Sequence, residues 1–166
     1  QVPPVSKWSS TSDETWEDVQ SKLALFLDDQ GVRSTRAGDK LLKMARDAYP
    51  AIVNHMMTLD YSTKEGHYVG GMLNDLIVKI GAGTNYGWKG TSDLEEGSEE
   101  FLKLALVNKK VTSYWQNRWV KQLAHDDAQW NGFITSTKAR LAREKAEAGK
   151  GTPAPIEAPE DGLFDD

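Results

Sequence analysis

From Trp16 to Leu141 the apolar residues of this chain recur at steps of three and four, with polar residues between them. That spacing is the period of a helix that buries one face. Trp16, Val19, Leu23, Phe26 and Leu27 form the first stripe and predict a helix over 13–29. Thr11 and Glu14 stand at capping-box spacing before it, and Gly31 offers a stop. A second stretch begins near Ser34 and carries Leu41, Leu42, Ala45 and Tyr49 before Pro50. The proline either kinks this helix or opens a new one, where its missing amide costs nothing. Ile52, Val53, Met56, Met57 and Leu59 continue the apolar face to about Asp60.

The third stripe is Val69, Met72, Leu73, Leu76, Ile77 and Ile80, behind Ser62 and Glu65 at capping-box spacing. Gly66, Gly70 and Gly71 lie inside it, at a cost of up to ~1 kcal/mol each in helix propensity. Close approach by a neighbouring helix or by backbone is the expected compensation. A glycine-rich loop over 81–90 follows. Ser92 with Glu95, or Ser98 after Gly97, then starts a helix bearing Leu94, Phe101, Leu102, Leu104, Ala105 and Leu106. From about Val111 to Ala148 the pattern is helical again. Trp115, Trp119, Leu123, Trp130, Phe133, Ile134 and Leu141 lie near one face, and Asn131–Gly132 mark a bend. No alternating run of β-branched residues suggests a sheet.

Both flanks differ from this body. Pro3, Pro4 and a Ser/Thr cluster make residues 1–12 an extended lead from which Trp8 packs on the body. Residues 149–166 are rich in alanine, proline and acids and cannot bury enough apolar surface to offset ordering entropy. The expected fold is all-α: a bundle of about five helices over 13–148 with a long C-terminal helix, between an extended lead and a disordered acidic tail.

Composition narrows the chemistry. In 166 residues, 25 acids against 20 bases give a net charge of −5. Any contact with nucleic acid or an anionic surface therefore needs a local basic patch. The absence of cysteine removes disulfides, thiolate nucleophiles and cysteine metal sites. No apolar run approaches the ~20 residues of a membrane span. His55, His67 and His125 are not at helical steps from one another, so neither a metal nor another cofactor is expected. The first residue is Gln1 rather than methionine, which reads as a processed or truncated chain.

Three constellations remain. The segment with E-G-x-Y at 65–68, N-D at 74–75 and G-x-G-T-N-Y-G at 81–87 resembles the catalytic segment of phage-type muramidases. The resemblance implies Glu65 as the acid on a glycosidic bond, with Asp75 and Thr84 downstream. Gly66, Tyr68, Asn85, Tyr86 and Gly87 would be framework. A helix cap at Glu65 and a simple turn at the glycines explain the same residues. Second, Lys109, Lys110, Arg118 and Lys121 interleave with Tyr114, Trp115 and Trp119, the mixture single-stranded nucleic-acid binders use. A helix with a buried aromatic face and a solvated lysine rim has the same sequence. Third, six tryptophans are many for this length, and aromatics anchor interfaces. Trp115, Trp119 and Trp130, with Leu163 and Phe164 of the acidic tail, are the candidates for contact with a protein partner or a second copy. The expectation is a non-catalytic assembly or adaptor subunit, with nucleic-acid binding and muramidase activity as the alternatives.

Overall fold

The structure is a computed structural model that describes residues 4–91, 93–122 and 126–150. Among them are six α-helices and no strand: α1 (Asp13–Leu27), α2 (Gly31–Met44), α3 (Tyr49–Thr58), α4 (Lys64–Ile80), α5 (Glu99–Gln122) and α6 (Asp127–Lys150). The fold is all-α with a long last helix, as the periodicity requires. Residues 149 and 150 belong to α6, and 151–166, with Leu163 and Phe164, lie outside the described residues.

The helix ends differ in detail from the sequence expectation. Ser12, not Thr11, caps α1 by accepting the Thr15 amide at 3.1 Å. Thr11 instead donates to Asp47 at 2.6 Å. Gly31 does not stop α1 but begins α2, after Asp29 and Gly31 itself take positive φ. Pro50 stands in the first turn of α3, the second of the two options, and a 3₁₀ turn (Ala45–Asp47) separates that helix from α2. Thr63, not Ser62, caps α4 through the Gly66 amide at 3.0 Å. The stripes assigned to two late helices join into one continuous α5, whose Phe101 amide is capped by Ser98. Asn131 and Gly132 lie within α6, so the expected bend is not there. The break precedes them: Asp126 accepts the Gln129 amide at 2.8 Å, and the Gln129 side chain returns to the Asp126 amide at 3.0 Å. That reciprocal pair is a capping box.

The core is shared by every helix. α1 and α2 form an antiparallel hairpin, closed where Gly38 lets the Phe26 ring lie against α2. α3 runs antiparallel to α5, with Tyr49 beside Trp115 and Trp119 and Tyr61 beside Thr112. α4 runs parallel to α5, because His67 meets Asn108 and Asn74 meets Trp115, a constant offset of 41 residues. Two parallel neighbours need a return path. The 17 residues of α4 rise about 25 Å, and residues 81–98 retrace that distance. Tyr86 packs on Trp115, Trp88 on Tyr61 and His67, and Lys89 on Asn108.

The lead is tied down at Val5 and at Trp8. The Asn54 side chain bonds both the amide and the carbonyl of Val5, at 2.8 and 2.9 Å. Val5 is as buried as the helical core, so Trp8 is not the only residue of the lead that packs. The Arg46 guanidinium lies 3.6 Å from the Trp8 ring and 5.8 Å from that of Trp130, joining lead, 3₁₀ turn and α6.

Two of the three α4 glycines, Gly66 and Gly70, meet the expected close approach, whereas Gly71 has only ordinary contact with Trp88. A Cβ on Gly66 would stand 1.9 Å from the Asp60 carbonyl oxygen, and one on Gly70 2.6 Å from Trp88 and 2.7 Å from Tyr61. Helix propensity alone favours alanine by ~1 kcal/mol. We expect Gly66→Ala and Gly70→Ala to lower the urea midpoint nonetheless; a raised midpoint in either would refute this packing.

Candidate functional site

One helix divides its side chains unusually. On α5, Phe101, Ala105, Asn108, Thr112, Trp115 and Trp119 recur at alternating steps of four and three and are buried, with Val111 beside them. That is one complete inward face. Yet five of the seven large apolar residues exposed among the described residues also lie on α5: Leu102, Leu106, Val107, Tyr114 and Val120. Leu106 is 70% exposed and Val120 63%. The signal was present in the sequence. From Phe101 to Val107 only Lys103 is polar, more apolar surface than one helix face can bury.

Beyond its first two residues, Glu99 and Glu100, the same helix carries charge of one sign. From 101 to 122 it carries Lys103, Lys109, Lys110, Arg118 and Lys121 and no acid. Lys103 pairs with Glu99 on the surface at 2.8 Å, a contact worth little. Lys109, Lys110 and Lys121 pair with no carboxylate among the described residues.

Beside this face opens a groove of about 1030 Å³ between the last turn of α3, residues 59–62 and the near flank of α5. Met57, Leu59, Leu102, Ala105 and Leu106 supply its apolar lining. Lys109, Thr112, Ser113 and Gln116 give one polar wall, and Pro4 of the lead also lines the groove. Asp60 is the acid in the lining, and its carboxylate already accepts from the amide and hydroxyl of Ser62. Those bonds hold it below the usual carboxylate range.

Behind the groove lies a buried polar cluster. The Asn108 side chain accepts the Lys89 amide at 3.0 Å and donates to the Lys89 carbonyl at 2.7 Å, which fixes the orientation of its amide. Its nitrogen therefore donates to His67 Nδ1 at 3.0 Å, and the proton of the neutral imidazole sits on Nε2. Tyr61, Trp88 and Phe101 pack around this ring. Nε2 finds no hydrogen-bond partner among the described residues. Burial pushes the His67 imidazole below its ordinary value, opposed in part by the Tyr61 backbone. Tyr61 donates to the Met56 carbonyl at 2.8 Å and contacts the Thr112 hydroxyl at 3.1 Å, and burial pushes its phenol up to about 12.

The candidate residues from the sequence fall as follows. Trp115, Trp119 and Trp130 are 0, 6 and 9% exposed and pack in this chain's own core. The Trp115 indole donates to Asn74 at 3.1 Å, and Trp119 stacks on Tyr49. These rings are spent internally and leave almost no surface for a partner. Arg118 is also engaged: its Nη1 donates to the Tyr86 hydroxyl, and its guanidinium lies 4.2 Å from the Phe133 ring. Lys109, Lys110 and Lys121 are exposed. Glu65 and Asp75 are exposed on α4, and ten residues of helix separate them by about 15 Å of rise. Paired glycosidase carboxyls stand within roughly 9.5 Å of each other. Thr84 is buried in the return path, away from solvent. α4 and its connection thus do not assemble the three groups into an acid site. His55 is half-buried in α3, and His125 lies outside the described residues. No group of three histidines or acids among the described residues could hold a metal, and none of their helices is long and apolar enough to cross a membrane.

Comparison with protein-family models, with curated proteins and with solved structures finds no match to this chain.

The buried histidine makes stability depend on pH. The unfolded chain takes up a proton near pH 6.5, whereas folded His67 resists it because burial disfavours the charged ring, and the Asn108 amide already points a donor at Nδ1. The unfolded state then binds more protons, so stability is full above about pH 7 and falls as pH drops below 6.5. His55, also pushed down by burial, adds in the same sense. The urea midpoint should fall from pH 7 to pH 5, and His67→Gln should flatten that decline; an unchanged slope would count against it.

Proposed function

We propose that this chain is a non-catalytic interaction subunit, whose helical body binds another macromolecule through the outer face of α5 and the groove beside it. The single observation that carries this reading is the surplus on α5. After its inward face is filled, Leu102, Leu106, Val107, Tyr114 and Val120 remain in solvent on a stretch of α5, residues 101–122, that carries bases and no acid. Exposed apolar residues scattered over a surface need no explanation, but a run of them along one element marks a contact surface. The partner this chemistry fits is a polypeptide with apolar side chains among acids. The anchors expected on this side are Leu106 and Lys110, in place of the three tryptophans that the core consumes.

Nucleic acid is the second reading, favoured by one specific feature. Lys110, Tyr114 and Lys121 share a face of α5 at helical spacing, and both lysines are unpaired by carboxylates among the described residues. Lys109 sits at its edge. A single-stranded oligonucleotide held by three phosphate contacts would bind with a log–log salt slope of about −2.

The test is co-purification from native extract, followed by mass measurement of the complex. Leu106→Asp and Lys110→Glu should each cut recovery of the partner about tenfold or more, since a buried leucine contributes ~1.5–3 kcal/mol. Both side chains are exposed, so the melting temperature should hold. Undiminished recovery in both variants would refute the proposed surface. Salt-sensitive oligonucleotide binding with the slope above would transfer the surface to the second reading.

A further inference from the structure

The charge of this chain is distributed in a way that bears on the groove. Residues 151–166 contain Glu157, Glu160, Asp161, Asp165 and Asp166 and no lysine or arginine. Those five acids equal the whole formal charge of −5, so residues 1–150 hold twenty charges of each sign. Within that balanced body, α5 from 101 to 122 is wholly basic. The acidic segment also carries one concentrated apolar pair, Leu163–Phe164, set between acids on both sides. It is the complement, in charge and in apolar content, of the surface that the body leaves open.

Resting on the reading of the groove as a binding surface, we propose that its resident ligand is the chain's own segment 156–166. Leu163 and Phe164 enter the apolar groove against Met57, Leu102 and Leu106, and the flanking acids face Lys109 and Lys110. Asp60, the acid in the groove, is held by Ser62 and opposes the ligand from the far wall. Leu163 follows the end of α6 by thirteen residues, and a proline-bearing linker at full extension spans about 3.1 Å per residue, or roughly 40 Å. Tethering also raises the effective concentration of the segment to the millimolar range, so a weak motif suffices to fill the groove. An outside partner then has to displace it, and binding at α5 becomes a competition between two acidic, apolar sequences.

The absence of cysteine makes the test direct. Gly162→Cys in the full chain takes a nitroxide label beside Leu163, and amide signal loss reports which residues it approaches. We expect the amides of Met57, Leu102, Leu106 and Thr112 to lose several-fold more intensity than those of α1. Replacing Leu163 and Phe164 with serine, or Lys109 and Lys110 with glutamate, should restore them. Equal intensities at the groove and at α1 would overturn the proposal. So would signal loss that appears only when labelled and isotope-enriched chains are mixed, because the occupant would then be a second copy. The two levels separate cleanly. If the groove amides stay bright while recovery of a partner still depends on Leu106, only the internal docking fails. If docking is seen, the Leu163→Ser and Phe164→Ser variant should recover more partner than the wild type.

Discussion

Two helices that lie side by side and point the same way oblige the chain to retrace its own length between them. α4 and α5 are such a pair, and the described residues of the return from 81 to 98 include no helix to satisfy its backbone. Asn108 supplies what is missing. Its amide bonds both the N–H and the C=O of Lys89, as a neighbouring strand would, and still holds His67. A buried residue that meets two backbone groups and a side chain at once leaves few alternatives for the path. The aromatics of the return, Tyr86 and Trp88, are then positioned to close the core over Trp115 and His67.

The same economy governs the buried aromatic rings. Three of the central rings find a partner for their polar atom. Tyr49 donates to the Trp115 carbonyl at 3.0 Å, the Trp115 indole to Asn74, and Tyr61 to the Met56 carbonyl. An unmatched group there would cost 1–3 kcal/mol. Burial pushes the Tyr49 phenol well above its ordinary value. At the other end, Arg46 is packed between Trp8 and Trp130 with Asp127 at 3.3 Å, which couples the lead to the start of α6. Trp8 of the lead and Trp130 in the first turn of α6 share this cation.

What remains outside is aliphatic rather than aromatic. α5 serves as the central rod of the core on one side and presents leucine, valine and lysine on the other. On the proposed reading that surface takes partners that carry acids among apolar side chains, and residues 157–166 of the chain itself hold such a sequence.

The sequence by itself determined the all-α class, the extended lead, the three- and four-residue periodicity and the tight packing around the α4 glycines. These are local properties: a helix period, a proline or a glycine acts within a few residues of itself. It also contained the excess of apolar residues over 101–107, although not which of them would face outward. Tertiary structure alone decided that α4 and α5 are parallel, that Trp115, Trp119 and Trp130 are core, and that Arg118 is bound to Tyr86 and Phe133. The separation of Glu65 from Asp75, by contrast, follows from the single helix that the local stripe already specified. A stripe specifies that a face is buried, but the rotation of α5 is set by contacts 41 and 66 residues away. Side-chain identity cannot choose between inside and outside until those distant partners arrive.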